Sequence, residues 1–316
     1  MTEHFTSVGA PTLSDLAARR LPNGPSGHLS VRACVAGIAR LRKGLSIYYS
    51  YNEIFRRDGN FMKKLSSRTL VFLAVCLLAL FLIIHRREIH VYDGFEAAGL
   101  SSHWSESRMV PGSFRVQTEV VRSGHSAGEI TVHYGDRREA ASDDGPASER
   151  DELMEAWWLF AHMHRTYRYS FSLYLPADFP IVPTRLVLAQ WKQLCEWSRC
   201  QPQNPVLAIR YQNGELSVTR QDKRAKSTLY SSKQEMRGHW LDFRFETRFS
   251  RDLDGQIDAW LNGEPIVHYR GPTVYQRQRG YPARGYVYFK TGLYRDELQQ
   301  PMTIYVDEYR KDELSR

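Results

Sequence analysis

Cysteine is scarce. Of the four in 316 residues, Cys34 and Cys76 precede residue 85, and only Cys195 and Cys200 follow it. Their C-x4-C spacing suits a small disulfide loop in an oxidising compartment, whereas one cysteine pair with no histidine pair nearby lacks the four ligands of a structural zinc site. Helical periodicity is missing from every long segment after residue 84, and no internal repeat of about 20 to 50 residues is present, which leaves a non-repeating β fold. Long apolar runs number one. Thr69 to Ile84 holds 16 residues without a charge, slightly fewer than the roughly 20 of a comfortable membrane span.

The flanks of that run decide its reading. Lys63, Lys64 and Arg68 precede it, His85, Arg86 and Arg87 follow, and no small-x-small cleavage site intervenes. We expect an uncleaved signal anchor over 62–90 with its span at 69–84, a single pass through a bacterial inner membrane with the N-terminus cytoplasmic and the bulk of the chain periplasmic. Cleavage, which would secrete the chain, is the second reading, and a buried core helix the third. Met62 opens MKKLSSRTLVFLAV and is a good start site. Residues 1–61, if made, read as a poorly ordered tail rich in Gly, Pro and Arg.

The net charge of +8 does not point to nucleic acid once it is divided. Residues 1–84 carry 11 Lys/Arg against 4 Asp/Glu, and residues 85–316 carry 32 against 31. The excess lies where the positive-inside rule puts it, so nucleic acid is not an expected partner.

From Phe114 onward, runs with period-two alternation recur. Strands are expected at Phe114–Val121, Glu129–Tyr134, Tyr167–Leu175, Thr184–Trp191, Val206–Tyr211, Leu216–Arg220, His239–Phe249, Gln256–Leu261, Ile266–Tyr269, Tyr286–Phe289 and Met302–Tyr309. Asn213-Gly214 and Asn262-Gly263 each lie between two runs and mark hairpins. Gly135 to Pro146 is a polar surface loop. This is the pattern of an all-β sandwich or jelly roll over 91–310, followed by a short tail at 311–316.

Acid is absent from Pro265 to Arg295, a stretch that holds Arg270, Arg277, Arg279, Arg284, Lys290 and Arg295 among Tyr269, Tyr275, Tyr281, Tyr286, Tyr288, Phe289 and Tyr294. A cationic groove with aromatic walls suits an anionic polysaccharide, its carboxylates meeting guanidinium forks. A solvated basic loop is the plainer alternative. Within the stretch, Lys290 and Tyr294 are four apart and face the same side of a strand. β-Elimination needs a cation for the uronate carboxylate, a base for the C5 proton and an acid for the departing O4.

Ordered motifs carry a resemblance. FKTGLYR, then TIYVDEYR, preceded by DLDGQIDAWLNGEPI, resembles the C-terminal half of the heparin lyase I-like and glucuronan lyase-like polysaccharide lyases. Arg150-Asp151-Glu152-Leu153 is similar to that family's R-x-E-L signature, YSFSLYLPADFP to its next strand, LAQWKQ to its Q-W-H segment, and DGFE at Asp93 to its domain start. The resemblance implies a concanavalin-like β-jelly roll and eliminative cleavage of a uronic-acid-containing polysaccharide. It implies Tyr294 as catalytic acid and a candidate base, Lys290 as a neighbouring cation, Arg150 as a carboxylate ligand, and Gln190 lining the same groove with Arg284, Tyr288 and Arg295. Where the family has histidine, this chain has Lys192. Lys192 is a base if burial or nearby cations lower its pKa from about 10.4, and otherwise a carboxylate-binding cation. A non-catalytic module that binds an acidic exopolysaccharide is the alternative function.

No cofactor is required. Asp252-Leu253-Asp254-Gly255 suggests calcium but lacks the rest of a calcium loop and reads as a hairpin turn. Trp157, Trp158, Trp197, Trp240 and Trp260 are candidates for sugar stacking or, more commonly for strand tryptophans, core. His162 and His164, expected on one strand face, lack a third metal ligand.

Overall fold

Alternating burial along each segment builds two antiparallel sheets. The computed structural model describes residues 71–77, 88–136, 147–195, 204–222, 226–277 and 285–314. Their strands are β1 His90–Asp93, β2 Trp104–Ser105, β3 Phe114–Gln117, β4 Ala127–Val132, β5 Ser148–Glu155, β6 Ala161–His162, β7 Thr166–Tyr174 and β8 Leu186–Gln193. They continue with β9 Leu207–Gln212, β10 Glu215–Gln221, β11 Lys226–Ser232, β12 Trp240–Arg248, β13 Gln256–Leu261, β14 Glu264–Arg270, β15 Tyr286–Asp296 and β16 Met302–Leu314. A single 3-10 turn, Trp157–Leu159, joins β5 to β6.

Sheet A has the order β14-β13-β12-β7-β16-β4-β3 with β1 beside β16, and sheet B the order β11-β10-β9-β8-β15-β5-β2 with β6 beside β15. Every pairing between these strands is antiparallel, as in a β-jelly-roll sandwich, and a single parallel bridge, Leu175 to Arg237, lies outside them. The inner faces interlock through aromatic rings. Trp191 of β8 and Phe289 of β15 meet at 4.9 Å, and they contact Phe245 of β12 at 4.8 Å and Phe171 of β7 at 5.1 Å respectively. These rings are fully buried, each contributing about 1.5–3 kcal/mol by leaving water. The central strands of both sheets are thereby held rigidly.

Both expected hairpins form. Asn213 and Gly214 have φ of 53° and 75°, Asn262 and Gly263 of 52° and 86°, the positive pairs of a tight two-residue turn. Several expectations are corrected. β15 runs past Phe289 to Asp296, and β16 continues to Leu314 instead of ending at Tyr309, because Lys311 is paired and fully buried. His162 ends β6, but His164 lies in a turn at φ 62°, so the two histidines do not share a strand face. β1, β2, β5 and β11 appear where no strand was expected.

The chain divides into two units, 1–85 and 86–316. In the first, residues 71–77 are helical and exposed. Among the described residues no helix is long and apolar enough to cross a membrane. The 1–61 tail, Met62 and most of the anticipated span at 69–84 lie outside them, as do residues 137–146 of the polar loop.

Candidate active site

Strand register decides which side chains share the open face of sheet B. Across β15, Tyr294 pairs with Arg150 of β5, Gly292 with Glu152 and Lys290 with Met154. On its other edge Lys290 pairs with Gln190 and Tyr288 with Lys192 of β8. Cross-strand partners point to one side, so Arg150, Glu152, Tyr288, Lys290, Tyr294, Gln190 and Lys192 form one surface, back to back with Leu293, Phe289 and Trp191 in the core. Between Thr291 and Tyr294 the β15–β8 ladder shifts by one residue. Gly292 sits in that bulge at φ 141°, where a Cβ would lie 2.3 Å from the Asp151 carbonyl oxygen. Only glycine lets β5 approach so closely.

Glu152 is the hub. Its buried carboxylate accepts hydrogen bonds from Lys290 Nζ and Gln190 Nε2, and Arg150 Nε lies 3.5 Å away. Burial alone would raise the Glu152 pKa, but the charges of Lys290 and Arg150 and the two hydrogen bonds outweigh it and hold it below the usual range. Lys290, only 3% exposed, is lowered to about 8, chiefly by desolvation, with Arg150 and Lys192 adding repulsion against the pull of Glu152. At neutral pH the pair is ionised on both sides.

Tyr294 lies between two guanidinium groups. Arg150 stacks over its ring at 4.4 Å and Arg185 at 4.7 Å. Arg185 is held by Asp296 at 2.6 Å. Arg210, opposite Val187 in the ladder that continues from Tyr294, donates to Thr219 Oγ1 at 3.1 Å. Burial and then Arg185 press the Arg210 pKa below its usual value. Three guanidiniums thus surround one phenol, and the carboxylate among them, Glu152, is already occupied. A site of this kind binds a carboxylate and keeps a hydroxyl beside it.

The sequence-derived candidates divide. Arg150, Gln190, Lys290 and Tyr294 are brought together; Lys192 and Tyr288 lie on the same face one step further along, where Phe160 stacks on Tyr288 at 5.2 Å. Arg295 does not join them. Its guanidinium is fully buried on the opposite face, bonded to Glu149 at 2.9 Å and to the carbonyls of Gln300 and Leu298, because alternation turns the neighbour of Tyr294 inward. Arg284 lies outside the described residues. Nor does Pro265–Arg295 make one groove. Arg270 belongs to β14 of sheet A and is clamped by Asp258 at 2.8 and 2.9 Å, and Tyr275 is buried with its hydroxyl on the Asn204 carbonyl. Among the described residues of this stretch, only the Tyr288–Tyr294 portion reaches the site.

Glu152, Arg185 and Arg210 were not anticipated. Glu152 stands two residues from Arg150 and so had to share its face. Arg210 is the lone cation in the apolar strand LAIRYQ, a signal that a basic side chain was turned outward. Cys195 is disulfide-bonded, as its spacing suggested; Cys200 lies outside the described residues. His164, Asp252 and Asp254 place ligand atoms within 4.8 Å of one another, but Asp254 is bound by Arg248 at 2.9 Å and by the Ser250 hydroxyl, as in a turn tied to its own strand.

Comparisons with known proteins bear on the family and the fold. Residues 96–310 match the family model described as polysaccharide lyase. Among solved structures, an endo-β-1,4-glucuronan lyase from the fungus Trichoderma reesei is similar at a TM-score of 0.54 and 17% identity, over 71% of this chain and 95% of that one. The alginate lyase AlgAT5, of polysaccharide lyase family 7, aligns at 0.44 and 16% identity over 66% and 86% of the two chains. No curated protein sequence matches. With the family model covering well over half of its length, the chain belongs to the polysaccharide lyase family.

Proposed function

We propose that the protein cleaves a uronic-acid-containing polysaccharide by β-elimination at Tyr294, and that it belongs to the heparin lyase I-like and glucuronan lyase-like branch. The observation that carries this reading is the phenol of Tyr294 flanked by Arg150 and Arg185. Arg150 and Gln190 hold the substrate carboxylate, drawing electron density from C5 and acidifying its proton. A base, Tyr294 or Lys192, takes that proton; the electron pair forms the C4–C5 double bond; the C4–O4 bond breaks; and Tyr294 returns a proton to O4. Lys290 and Glu152 position Gln190 and Arg150. Tyr294→Phe removes the only hydroxyl in this scheme.

The test is a polymer panel of glucuronan, alginate and heparin-like chains, followed by the ultraviolet absorbance of the unsaturated uronate. One polymer is expected to give a rising signal that Tyr294→Phe abolishes with the fold intact. Binding without any rise would leave the non-catalytic exopolysaccharide-binding module, for which Lys192 in the histidine position is the supporting observation.

We further infer that Thr69–Ile84 anchors the domain on the periplasmic face of the inner membrane. Its support is the charge asymmetry across the run. Fractionation tests it: membrane-bound protein released by detergent and not by alkaline carbonate is expected, and a protein recovered wholly in the soluble fraction overturns it.

A further inference from the structure

Two tryptophans are displayed at one end of the candidate site. Trp157 is 79% and Trp158 45% exposed, whereas Trp104 and Trp191 are core, Trp240 packs on Tyr174 and Trp260 is covered by Arg244. Adjacent exposed indoles form an apolar patch, the kind of surface that ligand-binding grooves present.

The turn that carries them lies over the open face of sheet B. The Ala156 amide donates to the His103 carbonyl at 2.8 Å, extending the β2–β5 ladder by one step. The β15–β5 ladder stops at Lys290 and Met154 and β15 next pairs with β6 at Val287 and Ala161, so the turn spans the gap beside Tyr288, whose partner on the other edge is Lys192. The ring of Trp158 rests against His103 at 5.7 Å and that of Phe160 on Tyr288 at 5.2 Å. The turn is therefore seated at one end on His103 and at the other on Tyr288. It is also rigid: Leu159 is buried, its amide donates to the Ala156 carbonyl at 2.9 Å, and its carbonyl accepts a hydrogen bond from the buried Lys311. A display held this firmly loses little entropy on binding.

We propose that Trp157 and Trp158, with Phe160 and Tyr288, form a stacking subsite for the pyranose face of a sugar residue distant from the one cleaved. The proposal rests on the lyase reading of the groove. Continuity selects the occupant: Tyr288 and Tyr294 lie six residues apart on β15, about 20 Å at ~3.3 Å per residue, so one extended glycan spans both ends. The apolar face of each ring lies flat on an aromatic wall, while its carboxylates meet Lys192 and the arginines. Recognition is then length-dependent, with short chains filling the Tyr294 centre alone.

The experiment uses the full-length chain and its Trp157→Ala/Trp158→Ala variant, with Trp157→Phe/Trp158→Phe as the conservative control and circular dichroism confirming the fold. Affinities for uronate trisaccharides and decasaccharides of glucuronan and alginate are measured by calorimetry, and tryptophan fluorescence is followed in parallel. Decasaccharide is expected to quench wild-type fluorescence. Its affinity should fall about tenfold in the alanine variant, recover in the phenylalanine variant, and leave trisaccharide affinity unchanged. An alanine variant that binds both lengths as wild type does overturns the subsite and leaves the lyase reading standing. So does fluorescence that responds to phosphatidylglycerol vesicles and not to decasaccharide. Wild-type protein that binds neither length overturns both.

Discussion

At the scale of the residue, the Lys290–Glu152 pair makes the site sensitive to pH. Lys290 titrates near 8 in the folded chain, so its cation is present below that value and lost above it. Glu152, held below the usual range, keeps its charge throughout and is left without its strongest partner. Cleavage rate per substrate bound should therefore fall as the pH rises through about 8. Lys290→Arg, whose charge persists to high pH, should move that limb upward in a plot of kcat/KM against pH. An unshifted limb would assign it to another group. Gly292 is the second residue on which the site depends. Alanine there meets the Asp151 carbonyl oxygen and the Glu152 Cα, and a side chain at such a φ adds strain. Gly292→Ala is expected to lower stability by about 1–3 kcal/mol, read by chemical denaturation, and to lower activity further by pushing Arg150 away from Tyr294.

At the scale of the element, β5 is the strand that the site is built on and the one the sequence hid. SERDELME has no apolar alternation because acids occupy both of its faces. Three of the four are answered by a cation of another strand, Glu149 by Arg295, Glu152 by Lys290, and Glu155 by Lys311, with the Tyr309 hydroxyl and the Phe289 amide also bonded to Glu155, while Asp151 accepts from the Val110 amide. Pattern reading assumes that buried means apolar, and here it meets charges paired over about 140 to 160 residues of sequence. β11, KSTLYSS, escaped for a simpler reason: it is an edge strand, half exposed and polar. The strands with apolar inner faces were legible to within one or two residues at most of their ends, and both Asn-Gly turns were legible outright. Arg150, Gln190, Lys290 and Tyr294 were legible as motifs. Arg295 was misread because adjacency in sequence means opposition across a strand.

The buried pair invites a double test. Removing one partner by Lys311→Met leaves the Glu155 carboxylate uncompensated and should cost about 3–5 kcal/mol. Replacing both, as Glu155→Leu/Lys311→Met, should recover part of that loss in denaturant titration. A loss no smaller in the double variant would mean that the cluster contributes more than charge neutralisation, through Tyr309 and Phe289.

At the scale of the whole molecule, the sandwich separates charge by face. The open face of sheet B gathers five cations, Arg150, Lys192, Arg185, Arg210 and Lys290, around two carboxylates, Glu152 and Asp296. On the outer face of sheet A cations are matched, Arg122 with Asp242, Arg168 with Glu246 and Arg115 with Glu129. Polymer binding should accordingly be steered by sheet B and weaken with ionic strength, as the screening length contracts from ~10 Å at 0.1 M to ~3 Å at 1 M. Arg210→Gln should flatten the slope of affinity against salt; a slope equal to that of the wild type would place the polymer elsewhere.

The position of β16 governs how the sandwich closes. In sheet A it is inserted between β7 and β4, and it also supplies Lys311 and Tyr309 to the core. Until Met302 and its successors have been added, β7 and β4 have no common neighbour and Glu155 no counter-charge. A chain cut before Met302 would therefore keep two bare strand edges in the middle of sheet A and a buried carboxylate with no cation to answer it.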